Sequence, residues 1–510
     1  MELATLIAHR ARYRPDVTAV VFEDQRLTYR QFHERVNRLA NALHAMGVRK
    51  GDKVATVLPN CLELLEIYWA APRLGAVLVP LSPLLMPAGL SSLLADCDAK
   101  VVFTQHNLVG VFEEAFRQIP GATTERVIVT DAGVAGYGDY HKLTAAASPG
   151  EPPRAAIGSD DLFNIMYTSG TTGLPKGIQH THFIRSMYAL MANHWRMTPE
   201  SVVLHTGAIV FNGAFLTLMP AFYLGARYIL HRQFDADALI ATVEREQVTH
   251  MMMVPAQIIA MLDSPSFSPE KLRSLEMILS LGAPLAHTRK DQLNTLLPGR
   301  FYELYGLTEG FVTILDRTDA VRKAGSVGCP PQFYEIRIVD VEGNDLPAGE
   351  IGEIVGRGPI LMTGYYKRAD LTAQAIRDGW LFSGDMGYLD EEGYLYLVDR
   401  KKDMIDSGGV KVYPRDIEEI AAEHPEVAEV AVFGIPHDKW GETPLAAVVL
   451  KHAGAVSAEA LKEWINERVA ARYQRVQGVV ILEAFPRNAA GKTLKREMRE
   501  PYWVGRGQNL

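Results

Sequence analysis

Leu162-Phe163-Asn164-Ile165-Met166 runs without a break into Tyr167-Thr168-Ser169-Gly170-Thr171-Thr172-Gly173-Leu174-Pro175-Lys176-Gly177, and the fold is read outward from this stretch. The first five residues pattern as a strand. The segment from Thr168 to Gly173 contains only hydroxyl-bearing residues and glycines. A loop of that kind turns backbone N–H groups and hydroxyls toward phosphate oxygens, and Lys176 adds a charge. It is not a Walker A loop, because Lys176 follows Pro175 and precedes Gly177 instead of sitting in a Gly-Lys-Ser/Thr ending. A surface linker is the plain alternative, but linkers do not normally lead through Leu-Pro-Lys-Gly straight into an apolar segment.

Around this loop, strands alternate with helices. Tyr29, Phe32, Val36, Leu39 and Leu43 recur every three or four residues, Thr28 and Gln31 form a capping box, and Gly47 is the stop, so this segment is a helix. Short apolar runs follow from Lys53, Ala76, Val101, Arg126, Ala226, His250 and Met277, with a further helical pattern over Leu62 to Leu74. This rhythm predicts an α/β chain with parallel strands joined by helical crossovers and no internal repeat.

The chain has 510 residues, 48% hydrophobic and 22% charged, which suits a folded globular enzyme of two to four packed units. The net charge of −8, from 60 acidic and 52 basic residues spread along the whole length, advertises no face for nucleic acid or anionic membrane. Cys61, Cys97 and Cys329 lie far apart with no CxxC pair, which argues against a disulfide framework or structural zinc. His9, Arg10, Arg12 and Arg14 interrupt the N-terminal apolar residues, and no 18-residue apolar run occurs. A cytoplasmic protein without an integral membrane segment is expected; peripheral membrane contact and oligomeric state stay open.

Organisation changes near residue 399. Before it, turns at Glu342-Gly343-Asn344 and Pro347-Ala348-Gly349 predict β-hairpins. After it comes a separate alternation: a helix after Pro414, strands around Val430 and over Leu445 to Leu450, and a helix from Ser457. Arg400-Lys401-Lys402-Asp403, taken alone, reads as a solvated charged linker.

The run YTSGTTGLPKG closely resembles the phosphate loop of the adenylate-forming superfamily, which includes acyl-CoA and aryl-CoA synthetases. Six further family motifs follow in order: Gly282-Ala283-Pro284, Tyr305-Gly306-Leu307-Thr308-Glu309, Ser383-Gly384-Asp385, Asp399 to Asp403, Ser407-Gly408-Gly409, and Pro486 to Lys492. The resemblance covers nearly the whole chain. It implies a large N-terminal α/β adenylation domain, residues 1–399, of helix-covered sheets with a small β-subdomain. A hinge at 400–402 and a mobile C-terminal α+β domain, residues 403–510, complete the implied architecture.

The implied reaction is ATP-dependent. A carboxylate attacks the α-phosphate and releases pyrophosphate, and the acyl-adenylate then passes to the thiol of coenzyme A. By the same resemblance, Thr168, Ser169, Gly170, Thr171, Thr172, Gly173 and Lys176 bind the phosphates. Gly282, Ala283, Pro284, Glu303, Tyr305 and Gly306 frame the nucleotide, and Asp385 with Arg400 takes the ribose. Glu309 holds Mg2+ as a hard carboxylate and Thr308 offers a hydroxyl to a phosphate or acyl-phosphate oxygen. Lys492 delivers positive charge to the attacking carboxylate and α-phosphate, and Lys402 is the hinge. Standing alone, Glu309 would read as a surface or ion-paired glutamate, Asp385 as a turn residue and Lys492 as a solvated lysine.

Phe211, Asn212 and Gly213 occupy the segment where relatives shape the acyl pocket. Phe211 stands in place of a histidine common in acyl-CoA synthetases, and Asn212 resembles an asparagine that aryl-acid ligases place beside the substrate; a buried structural asparagine is the equal alternative. Gly408, Gly409 and Trp440 are placed on the coenzyme A side, with a packed core aromatic as the alternative for Trp440. Val410-Lys411 and Gln474 depart from the Glu-Asn and lysine common in relatives. The function implied is acyl-CoA ligation of a small-molecule carboxylic acid that is apolar (fatty, aryl or bulky alicyclic). The alternative is a stand-alone adenylating enzyme that loads an acyl-carrier protein.

Overall fold

A computed structural model describes residues 3–119, 124–168, 176–400, 403–408, 410–487 and 493–504. The chain divides into two compact units, one built from residues 1–282, 294–312 and 357–381, the other from 283–293, 313–356 and 382–510. The fold is α/β, with helix-covered sheets in the first unit and smaller sheets in the second.

In the first unit, parallel strands run in the order Arg227–Leu230, Val202–His205, His250–Met253, Met277–Leu281, Phe301–Gly306. Thr18–Phe22 lies parallel to Arg227–Leu230, and Gln25–Thr28 closes that edge antiparallel. Strands buried on both faces read as continuous apolar runs, as in the fully buried Val77–Leu81 of the other sheet of this unit. The chain leaves Val202–His205 toward one neighbour and returns on its other side, so the strand order reverses there. Ligands of open α/β sheets bind beyond the carboxyl ends of the strands at such a reversal.

The second sheet of this unit carries the stretch that opened the sequence reading. Leu162–Thr168 and Lys176–Thr181 form an antiparallel pair with Thr168 opposite Lys176, so the phosphate-loop sequence joins two adjacent strands. Ser169 to Pro175 lie outside the described residues. The predicted helix is Tyr29–Ala45, and its capping box is present: Gln31 N donates to Thr28 Oγ1 at 3.3 Å and Thr28 N to Gln31 Oε1 at 2.9 Å.

In the second unit the predicted turns are found, with Gly343 at φ +90° and Gly349 at φ +85°, where a side chain would be strained. Glu335–Val339, Gly352–Arg357, Trp380–Leu389 and Leu395–Arg400 belong to one sheet, in which Trp380–Leu389 and Leu395–Arg400 pair antiparallel. A further sheet centres on the long hairpin Val427–His437 and Gly441–Leu450. Alternate residues of that hairpin serve two cores: Val432 and Ala446 pack with Ile417 of the helix Pro414–Ala422 and with Ile465 of the helix Ala458–Arg468, while Phe433 and Leu445 pack with Met498 of the helix Lys495–Trp503.

Candidate functional site

Parallel strands put their C-terminal ends on one edge of a sheet, and three strands do so here with predicted site residues. The connection after Val202–His205 carries Phe211, Asn212 and Gly213, all half-buried. Met277–Leu281 ends at Gly282, whose φ of +90° suits glycine. Phe301–Gly306 carries buried Glu303 and half-buried Tyr305, and leads to Thr308 and Glu309. The edge is tight: a Cβ on Gly213 would lie 3.0 Å from Leu281 Cδ1, and one on Gly306 would lie 2.7 Å from Val312 Cγ1. The Tyr305 ring packs against Phe311 with centroids 6.1 Å apart.

Glu309 is held from a direction the sequence did not reveal. The short strand Gly364–Tyr365 pairs antiparallel with Lys176–Thr181, and the Tyr365 hydroxyl donates to Glu309 Oε1 at 3.0 Å. Met362 N donates to the Glu309 carbonyl at 2.7 Å, and Lys176 Nζ lies 5.3 Å from the centre of the Tyr365 ring. Burial beside the Glu309 carboxylate pushes the Tyr365 hydroxyl far up, so it stays a donor. Among the described residues no three carboxylates, histidines or cysteines converge on a metal position. One tethered carboxylate nevertheless fits Mg2+, which takes one or two carboxylates and completes its shell with phosphate oxygens and water.

Behind Thr308 lies a buried polar network. Arg185, on the helix His182–Leu190, is 0% exposed. Its Nε donates to Asn164 Oδ1 at 2.7 Å, its Nη1 to Asn212 Oδ1 at 2.8 Å, and its Nη2 to His180 Nδ1 at 3.1 Å. Burial pushes His180 well below the ordinary histidine range, with the Arg185 charge acting in the same direction, so the ring is neutral. A neutral ring that accepts at Nδ1 carries its proton on Nε2, which donates to the Thr308 carbonyl at 2.8 Å. Asn212 Nδ2 donates to the Tyr188 hydroxyl at 3.0 Å. Burial lowers Arg185 itself to about 10, which leaves it charged at neutral pH. An arginine among the buried residues Ile184, Tyr188 and Ala189 of a mostly buried helix was the available signal for this network.

In the second unit, Asp385 and Arg400 face each other across paired strands, with Arg400 Nε 3.4 Å from Asp385 Oδ1. Asp385 N donates to Ser383 Oγ at 3.0 Å, and that hydroxyl donates to the Ile354 carbonyl at 2.6 Å. Such a carboxylate has two acceptor oxygens for a pair of hydroxyls. Ala283 and Pro284 are exposed. Gly408 sits at φ +66°, its N–H donates to the Trp440 carbonyl at 2.6 Å, and a Cβ there would lie 2.8 Å from Trp440 Cε3. Trp440 is 45% exposed in the hairpin turn, which removes the core-aromatic alternative. Gln474 Nε2 donates to Asp416 Oδ2 at 3.2 Å and its Oε1 accepts from Ala471 N at 3.0 Å. Ser169, Gly170, Thr171, Thr172, Gly173, Lys402, Gly409 and Lys492 lie outside the described residues, and of Thr168 only the backbone is described.

Two family models match the chain: the AMP-binding enzyme model over residues 7–366 and the AMP-binding enzyme C-terminal domain model over residues 416–492. A feruloyl-CoA synthase of Amycolatopsis sp is 36% identical, with 97% of each chain covered. The long-chain-fatty-acid–CoA ligase FadD13 of Mycobacterium tuberculosis is 35% identical, with 98% of each covered. Among solved structures, ATP-bound MatB from Rhodopseudomonas palustris superposes with a TM-score of 0.89 at 30% identity, covering 98% of this chain and 99% of that one. Among the described residues, no helix is long and apolar enough to cross a membrane.

Proposed function

The chain belongs to the adenylate-forming superfamily of AMP-binding enzymes, and from that premise we propose that its acid substrate is apolar, aryl or fatty in character, held at Phe211, Asn212 and Gly213. It is an AMP-forming acid–thiol ligase that uses ATP, Mg2+ and coenzyme A. The observation that carries the substrate reading is the shared strand edge. Phe211–Gly213 and Thr308–Glu309 follow two parallel strands of one sheet, and Arg185 and His180 connect them by hydrogen bonds. Relatives named as a feruloyl-CoA synthase and a long-chain-fatty-acid–CoA ligase support the same range of acids.

The division of labour follows from the side chains. Tyr365 fixes the Glu309 carboxylate, and His180 fixes the Thr308 backbone so that its hydroxyl is presented in one position. Mg2+ bound at Glu309 supplies neutralisation of phosphate charge. Asp385, oriented by Arg400, takes the ribose hydroxyls. Lys492 brings an ammonium to the reacting carboxylate and phosphate during the first step, and Gly408, Gly409 and Trp440 serve thioester formation in the second. Residues 400–402 are the hinge on which residues 403–510 change position between the steps.

Mass-spectrometric analysis of products tests this. The enzyme is given ATP, Mg2+ and a panel of fatty, aryl and alicyclic acids, with and without coenzyme A. Acyl-CoA from the apolar acids is the expected product. Turnover confined to small hydrophilic acids would refute the substrate reading. Acyl-adenylate that accumulates and never becomes a thioester would favour transfer to a carrier protein.

A further inference from the structure

Asp96 and Asp98 stand at the C-terminal end of the helix Pro87–Cys97, where a carboxylate opposes the helix dipole, so the helix that carries them does not explain them. Their partners lie on two other segments. Asp96 Oδ2 accepts from the Tyr167 hydroxyl at 2.5 Å, and Asp96 Oδ1 accepts from Arg368 Nη2 at 2.9 Å. Lys367 Nζ donates to the Asp96 carbonyl at 2.8 Å and lies 2.6 Å from Asp98 Oδ2, which also accepts from the Tyr366 hydroxyl at 2.8 Å. The side chains of Asp96 and Arg368 are only 12% and 25% exposed, so this ion pair is shielded where an ordinary surface pair is not.

The two segments meet at Gly177. Tyr167 stands opposite Gly177 in the pair of strands that the phosphate-loop sequence joins, and a Cβ on Gly177 would lie 3.1 Å from Tyr167 Cζ. From the strand Gly364–Tyr365, Tyr365 pairs with Ile178, and the next residue, Tyr366, donates its N–H to the Gly177 carbonyl at 2.7 Å. The chain then turns sharply: Arg368 N donates to the Tyr365 carbonyl at 3.1 Å, with Lys367 at φ +56°, a left-handed conformation that lysine adopts rarely. A turn of that kind persists where its surroundings hold it, and here Asp96 and Asp98 do so. Tyr365, at the start of the turn, is the residue whose hydroxyl holds Glu309.

We infer that Asp96 is a positioning residue for the nucleotide site. Through Tyr167 it fixes the strand that enters the phosphate-loop sequence, and through Arg368 it fixes the turn that presents Tyr365 to Glu309. One carboxylate thereby ties the phosphate-binding segment to the side chain that holds Mg2+. This rests on the reading of residues 168–176 as the phosphate loop and of Glu309 as the Mg2+ ligand.

Calorimetric titration with ATP, in the absence of acid substrate so that nothing turns over, gives the dissociation constant in EDTA and in Mg2+; their ratio is the gain from the metal. Tyr167→Phe removes only the hydroxyl and should weaken binding in EDTA by about threefold or more while keeping the gain. Arg368→Gln should leave binding in EDTA unchanged and cut the gain by about threefold or more. Arg368→Lys, which keeps the charge, should restore part of it. Asp96→Ala removes both anchors and should show both losses. Because the loss of gain passes through Tyr365, Arg368→Gln should cut the gain no further in a Tyr365→Phe background. Circular dichroism and Tm check folding, and the Tyr167 and Arg368 variants carry the test whether or not Asp96→Ala folds. Folded variants with a lower Tm and wild-type ATP binding in both media would reduce Asp96 to a packing residue and overturn the inference. So would an equal loss of gain from Arg368→Gln with and without the Tyr365 hydroxyl. A Tyr365→Phe single variant that keeps the full gain would instead refute the reading of Glu309, and the inference with it.

Discussion

The first unit, behind Thr308 and Asn212, and the charged part of the second unit both bury ionisable groups, with opposite results near neutral pH. In the first, burial drives His182 and His205 down to about 4 and His180 further below the ordinary range. Arg185, lowered to about 10, keeps its charge. None of these groups changes state between about pH 5 and 9, so the polar framework behind Thr308 and Asn212 is fixed over that range. In the second unit burial raises carboxyl groups instead: Asp399 to about 6, and Glu442 in the same direction. The same desolvation freezes histidines neutral and brings carboxyls toward the working pH. One region is therefore preorganised and the other is tunable.

The sharpest way to break this comparison is at Glu309. Glu309→Gln keeps the shape and the Tyr365 contact but removes the charge, so pyrophosphate formation should fall by about 100-fold or more. Thioester formation from supplied acyl-adenylate should survive, because Gly408 and Trp440 are untouched. Equal losses in both half-reactions would mean that the two regions do not divide the work as described.

Tyr365→Phe sharpens the same point. The hydroxyl donates to a carboxylate, an interaction of about 1.5–3 kcal/mol, so adenylation should slow by about tenfold and the Mg2+ concentration for half-maximal rate should rise. A variant with lower kcat and no shift in Mg2+ dependence would show that Tyr365 serves packing and not the carboxylate.

These two residues also show what was legible in the sequence. Glu309 stands in a five-residue motif, and the strand edge that displays it follows from helix–strand alternation, so both were readable. Tyr365 is 56 positions away and reaches Glu309 only because Gly364–Tyr365 pairs with Lys176–Thr181. Pairing of that kind has no local signature. Arg185 was hidden differently. Its neighbours Asn164, His180 and Asn212 come from two strands and a loop, and each alone is an ordinary polar residue. Burial, which turns them into a network, is a property of the folded chain.

The second region is tested at Gly408. Its φ of +66° and the 2.8 Å from a Cβ to Trp440 mean that alanine there meets both backbone strain and the indole. A left-handed non-glycine residue costs about 1–2 kcal/mol, so Gly408→Ala should slow thioester formation several-fold and leave pyrophosphate release alone. Single-turnover measurement of each half-reaction would separate the two. A slower adenylation step with an intact second step would reverse the assignment.

The smallest effect is the one that reads the tunable region directly. Asp399 accepts from Arg400 N at 2.7 Å and from Arg415 N at 3.1 Å, and the Lys495 ammonium attracts its charge. Burial outweighs these and, with repulsion from Glu418, sets the carboxyl at about 6 against an ordinary 3.8. Below about pH 4 both folded and unfolded chains hold the proton, and the stabilising difference is fully present. As the pH rises from 4 to 6 the unfolded chain ionises first, so the wild type loses stability through that window, by at most about 3 kcal/mol for a two-unit shift. An amide at this position cannot ionise. The difference in Tm between Asp399→Asn and the wild type should therefore move in the variant's favour between pH 4.5 and 7.5, by a few degrees, on top of a constant penalty for the lost acceptor oxygen. If it moved in the wild type's favour instead, the Lys495 charge rather than burial would govern Asp399, and the second unit would be as firmly fixed at neutral pH as the strand edge.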